Sequence, residues 1–104
     1  MKIDIQNALD NLDPTVEADI QRRLLLALSK VKSHISSITF ILSDVVNEID
    51  HHATHCSLSI TLKRLSDILV EETQTDFNSA IDRTIQKATH IISRKISTGG
   101  NERL

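Results

Sequence analysis

The chain has 104 residues, 39% of them apolar and 25% charged, with a net charge of −2 from 12 Lys and Arg against 14 Asp and Glu. That length holds one core without staples, because a chain of this size buries roughly 60–65% of its unfolded surface. The composition excludes a uniformly basic nucleic-acid binder. With only Phe40 and Phe77 as aromatics, it also excludes a groove of stacked bases, which needs aromatic platforms.

Cys56 is the single cysteine, so no internal disulfide is expected and a reducing compartment fits. The opening MKIDIQ lacks the apolar run of a signal peptide. The longest apolar run, Leu24–Leu28, is far too short to span a bilayer. A cytoplasmic protein is expected.

Met1–Gln6 alternates Ile3 and Ile5 with polar residues, which predicts a short strand. Asn7–Leu12 reads as a connection. Asp13 suits an N-cap and Pro14 a first helical position. Val16, Ile20, Leu24, Ala27, Leu28 and Val31 then recur at helical spacing, which predicts a helix from Pro14 to about Ser33. Ser37–Val46 is β-branched and apolar, a second strand. His55–Leu62 alternates Cys56, Leu58, Ile60 and Leu62 with polar residues, a third. Lys63–Ser66 forms a turn and Asp67–Thr73 a fourth strand, so the last two make an antiparallel hairpin. Asp76 caps a second helix whose Phe77, Ala80, Ile81, Ile85, Ala88, Ile92 and Ile96 repeat every three or four residues, with STGG as its stop. The expected fold is α+β in the order β-α-β-β-β-α: a four-stranded sheet with two helices packed on one face. Residues 1–96 form the domain and 97–104 a short flexible tail.

NEIDHHATHC, Asn47–Cys56, is mostly the connection between strands two and three and is rich in groups that zinc accepts. Its spacings fit no well-specified zinc pattern, and no second Cys/His cluster exists to complete a structural site. A strand through His55 and Cys56 would send them to opposite faces. The expectation is therefore a solvated connection carrying His51, His52 and His55, no metal site and no cofactor, with Cys56 as a small buried hydrophobe. No glycine-rich phosphate loop, H-E-x-x-H or nucleophile motif is present, and no enzyme is expected.

The net charge hides a pattern. Arg83, Lys87, His90 and Arg94 stand at i, i+4, i+7 and i+11, one face of the second helix and not the apolar one. Arg23, Lys30 and His34 repeat that spacing on the first, flanked by Arg22 and Lys32. Late basic residues also complement a helix dipole and keep a surface soluble. Two stripes on one chain favour a polyanion, bound through phosphates by shape.

The chain resembles the short ribosome hibernation-promoting factors, also called ribosome-associated inhibitors or sigma-54 modulation proteins. The resemblance covers residues 1–96. Its most specific part is DFNSAIDRTIQK, Asp76–Lys87, which is similar to the family's Asp, apolar, Tyr, x, Ala-Ile-Asp/Asn, x, x, Ile, x, Lys. The opening MKIDIQ, the LDP before a long helix and the HCSLSITL strand are similar too. The sequence departs from the family at Asn78, where the family has tyrosine, and at His34, near its aromatic at the end of the first helix. The resemblance implies a bacterial, cytoplasmic translation regulator of stationary phase and stress. Such a protein binds the small (30S) ribosomal subunit and its 16S rRNA and blocks the mRNA/tRNA channel. Carried over by position, Lys87 matches the helix lysine, His90 and Arg94 fall at often-basic positions, and Lys30 resembles the lysine near the end of the first helix. The expected RNA-binding set is Arg23, Lys30, Lys32, Arg83, Lys87, His90 and Arg94. Two other readings stay open. One is a double-stranded RNA-binding module. The other is a divergent paralogue acting as a protein-interaction or homodimer domain, through a strand edge or an open sheet face bearing Thr39, Ile41 and Leu69.

Overall fold

The computed structural model describes residues 1–7, 14–46 and 52–101. Its elements run β1 (Lys2–Asn7), α1 (Pro14–Ala27), a 3-10 segment (Ser29–His34), β2 (Ile35–Val46), β3 (His52–Leu62), β4 (Ile68–Gln74) and α2 (Phe77–Asn101). The order is the expected β-α-β-β-β-α.

The sheet order is β1-β2-β3-β4. β1 and β2 are parallel, and the other two pairs are antiparallel. A parallel neighbour requires a crossover of a dozen or more residues, and α1 supplies it. Strand alternation sends every second side chain to the helices. Two rows cross all four strands on that side: Ile3, Ile38, Ile60, Ile68 and Ile5, Phe40, Leu58, Val70. Ile20, Leu24 and Leu28 from the first helical segment and Ala80, Ile81, Ile85, Ala88 and Ile92 from α2 close over them. Among the described residues no helix covers the rows on the other side, such as Asp4, Thr39, Ser59, Leu69 and Gln6, Ile41, Ser57, Glu71.

α2 begins as its sequence demands. The Ser79 N–H donates to Asp76 Oδ2 at 2.8 Å, which satisfies a donor with no intrahelical partner. That bond holds the Asp76 carboxyl below its ordinary range. One position off the apolar repeat is also buried. Thr84 is fully buried and donates its hydroxyl to the Ala80 carbonyl at 2.7 Å, so its polar group is satisfied within the helix.

Two boundaries differ from expectation. α1 stops at Ala27, not near Ser33, and continues as a 3-10 segment. The Ser29 hydroxyl donates to the Leu26 carbonyl at 3.1 Å, and the Val31 N–H donates to Leu28 O at 3.1 Å. Both are three-residue reaches that compete with the α ladder. α2, in turn, runs through STGG to Asn101. Glycine lowers helix propensity by about 1 kcal/mol against alanine but adopts helical dihedrals freely.

Chain direction sets the two ends of the molecule. β1 and β4 finish at the same end of the sheet, and each leads into a helix that returns towards the other end. There the 3-10 segment enters β2, and the Lys63 N–H donates to His34 O at 2.8 Å. The β3–β4 turn closes at that end too. Its Arg64 sits at φ 66°, a left-handed backbone that costs a non-glycine residue about 1–2 kcal/mol.

Candidate nucleic-acid interface

On α2, Arg83, Lys87, His90 and Arg94 are all exposed, on the side away from the buried Ala80–Ile81–Thr84–Ile85–Ala88–Ile92 face. Lys87 and His90, with Gln86 and Ile91, line an open depression on the helix surface. The structure thus places this row as the spacing predicts.

The charges in the row differ in their partners. Lys87 donates to Glu72 Oε2 on β4. Glu72 belongs to the helix side of the sheet, opposite Cys56, and only 10% of its side chain is exposed. It also accepts from Gln74 Nε2 at 2.7 Å. The Lys87 hydrogen bond, followed by that from Gln74, holds the Glu72 carboxyl below its ordinary range, and Arg83 adds to the effect through space. Arg83, His90 and Arg94 make no ion pair with another described residue.

On α1, Arg23 is a clamp between helices. Its Nε meets Asp19 Oδ2 at 2.9 Å and its Nη1 meets Asp82 Oδ1 of α2 at 2.9 Å. Arg22 holds the other Asp19 oxygen at 2.8 Å, and that bond is the main cause of the lowered Asp19 pKa. Asp82 therefore belongs to the α1–α2 contact, with its charge matched by Arg23.

The 3-10 segment breaks the first stripe. Residues four apart lie about 40° apart on an α-helix but about 120° apart at three residues per turn. Lys30 and His34 therefore do not continue one line from Arg23. Lys30 and Lys32 are exposed at the end where the 3-10 segment enters β2.

That end holds cations the spacing argument does not reach. Lys63 and Arg64 are exposed in the β3–β4 turn. Lys95 Nζ donates to the carbonyl of Ser66 in that turn at 3.2 Å and also to its hydroxyl. The contact brings Arg94, its neighbour on α2, to the same end. The signal was present in sequence: a Lys-Arg pair sits in a turn expected at Lys63–Ser66. Placing it beside the C-terminal half of α2 requires the sheet order. Dipole complementation does not explain the α2 cations, because neither α1 nor α2 has a basic residue in its last turn.

The histidine-rich segment differs in part from its expected form. β3 begins at His52, three residues before the expected His55, so His52–Thr54 are strand and not connection, while Asn47–His51 falls outside the described residues. His52 Nδ1 lies 2.9 Å from Asp44 Oδ2. His55, on the helix-free side, has Nδ1 2.7 Å from Thr73 Oγ1 and Nε2 3.7 Å from Glu71. Cys56 points the other way and is fully buried, as expected. Burial pushes its thiol up to about 11, which keeps it an unreactive thiol at neutral pH. Among the described residues no cluster of His, Cys, Asp and Glu could hold a metal ion, and no helix is long and apolar enough to cross a membrane.

No protein-family profile and no curated protein matches the sequence. Solved structures do match in shape. A ribosomal subunit interface protein from Coxiella burnetii superposes with a TM-score of 0.74 at 16% identity, covering 93% of this chain and 99% of that one. The N-terminal domain of Thermus thermophilus Protein Y superposes with a TM-score of 0.62 at 15% identity, covering 89% and 93%. Nearly the whole chain therefore has the fold of these two proteins.

Proposed function

We propose that this protein binds the small ribosomal subunit through 16S rRNA and acts as a hibernation factor. Seated in the mRNA/tRNA channel, it would exclude both ligands. The supporting observation is the row Arg83, His90 and Arg94, exposed along a rigid helix without described carboxylate partners, on a fold shared with a ribosomal subunit interface protein. Guanidinium and ammonium groups on such a face meet phosphates without reading bases, so recognition is by shape and weakens with salt. Lys30 and Lys32 add to the same field. Lys87 contributes once it exchanges Glu72 for a phosphate. Arg23 holds the two helices in register beneath the row. The action is steric and has no catalytic step.

Co-sedimentation with purified 30S and 70S ribosomes tests this reading. Stoichiometric pelleting with 30S that weakens from low to moderate salt is expected. Its loss in an Arg83→Glu/Lys87→Glu/Arg94→Glu variant with unchanged circular dichroism is expected as well. No pelleting at low salt, or full binding by the triple variant, overturns it. A gel shift that prefers a free RNA duplex to 30S would favour the duplex-binding reading instead.

A specific observation also favours the protein-interaction reading. Leu69 is 64% and Ile41 37% exposed, and both lie with Thr39 on the helix-free side of the sheet. Apolar residues there suit a second copy of the chain. A strict dimer by light scattering that ignores RNA would promote it.

A further inference from the structure

We propose that the β3–β4 turn, through Lys63 and Arg64, forms a second RNA-phosphate contact at the end of the molecule, distinct from the α2 row. This deepens the ribosome-binding reading and rests on it for the partner.

Three observations carry the inference. First, the topology gathers cations from three separate segments at one end: Lys30 and Lys32 on the 3-10 segment, Lys63 and Arg64 in the turn, Arg94 and Lys95 on α2. Second, the pairing of charge differs along the molecule. Arg23 and Lys87, at the middle of the helical layer, are held by Asp19, Asp82 and Glu72. Lys30, Lys32, Lys63, Arg64 and Arg94 make no ion pair with another described residue. Cations already matched by carboxylates must exchange one anion for another, whereas unmatched ones release only counterions when a phosphate arrives. Third, the end is braced. The Lys63 N–H is tied to His34 O, and Lys95 ties α2 to Ser66 of the turn. The backbone of Arg64 is left-handed, φ 66°, although a glycine would sit there without strain. An arginine held in a glycine conformation at an exposed turn tip is what a fixed charge for a partner looks like.

The charges are mounted on fixed backbone at one end, while the α2 row runs along a side. A partner touching both must present phosphates over two directions, as the backbone of a folded RNA does. A flat anionic surface would meet only one of them.

The test uses the full chain with Lys63→Gln and Arg64→Gly together. Glycine relieves the left-handed residue and glutamine keeps the Lys63 N–H, so the fold is retained, as a thermal melt will show. A second variant, Arg83→Gln with His90→Gln, removes only the α2 row. Each is titrated against 30S subunits, against a fluorescent RNA hairpin and against phosphatidylserine vesicles over a range of salt. The turn variant is expected to bind 30S roughly 100-fold more weakly at low salt, about tenfold for each of two lost contacts, with a salt slope flatter by about 1.5. Its loss is expected to multiply with that of the α2 variant, as independent sites require. If the turn variant matches wild type in affinity and slope while the α2 variant does not, the second contact is wrong and the ribosome reading stands. If wild type ignores 30S but binds the hairpin through the turn, the ribosome reading fails and the turn contact stands. Turn-dependent binding to vesicles with none to RNA overturns the inference.

Discussion

Two sets of cations share this small molecule and differ in what surrounds them. At the middle of the helical layer, Arg23 is shared between Asp19 and Asp82, and Lys87 is held by Glu72. Along and beyond that layer, Arg83, Arg94, Lys63 and Arg64 are exposed and have no described carboxylate within an ion-pair distance. Residue type is alike in both sets, and Lys87 shares its helix face with Arg83 and Arg94. The difference lies in the partner, and the partner decides whether a charge builds the fold or is open to a ligand. Arg23 spans α1 and α2, so its carboxylates are part of the helix packing. Arg83 projects from the same helix pair and ties nothing together.

Neutralising each set in turn separates the two kinds of cation. Arg83→Gln with Arg94→Gln should weaken 30S binding about 100-fold at low salt, taking about tenfold for each lost charge-assisted contact. The chemical stability of the fold should barely change. Lys87→Gln made together with Glu72→Gln leaves the local net charge as it was. It should change binding by less than about threefold, because the lost phosphate contact and the removed competing carboxylate nearly cancel. Equal losses in the two doubles would show that pairing does not matter here. An effect smaller than the loss in the Arg83/Arg94 double, and opposite in sign, follows from Glu72→Gln alone. It frees Lys87, so affinity should rise by up to about fivefold, the scale of one exposed ion pair. The salt slope should steepen by about one unit. A fall in affinity would mean that Glu72 positions Lys87 for its ligand and does not compete with it.

Most of the scaffold behind this comparison is legible in the sequence. The period of Phe77, Ala80, Ile81, Ile85, Ala88 and Ile92 specifies both α2 and its buried face, and Asp76 marks where it begins. The alternation in Cys56–Leu62 gives β3 and the direction of Cys56. The end of α1 is less legible. Lys30, Val31 and Lys32 are acceptable in a helix, and the 3-10 geometry shows only in the three-residue reaches of the Ser29 hydroxyl to Leu26 O and the Val31 N–H to Leu28 O. The paired state of Lys87 is half legible. Ile68, Val70 and Glu72 alternate inward on β4, so a carboxylate on the helix-facing side calls for a cation. Which cation answers depends on how α2 lies across the sheet, and that is a property of packing. The basic end is the least legible part. Lys30, Lys63 and Lys95 lie far apart in the chain, and only the parallel β1–β2 pair and the return of both helices bring them together.

The pairing of Lys87 with Glu72 also has a signature in acid, the smallest effect expected. The Glu72 carboxyl is lowered, first by the Lys87 hydrogen bond and then by that from Gln74. A carboxylate with a depressed folded pKa adds stability that is fully present above its unfolded value. The contribution is lost as pH falls through the folded one. The urea midpoint of the wild type should therefore exceed that of Glu72→Gln near neutral pH, and the gap should close on descent through and below the ordinary carboxylate range. Asp76, lowered by its bond from the Ser79 N–H, has the same sign but sits at the start of α2, away from the cation row. An Asp76→Asn variant should lose its own share of the acid dependence while keeping the share that Glu72 supplies. A gap between wild type and Glu72→Gln that stays constant from neutral to acid pH would mean that Glu72 acts by shape and not by charge. The distinction between cations that hold the fold and cations open to RNA would then rest on Arg23 alone.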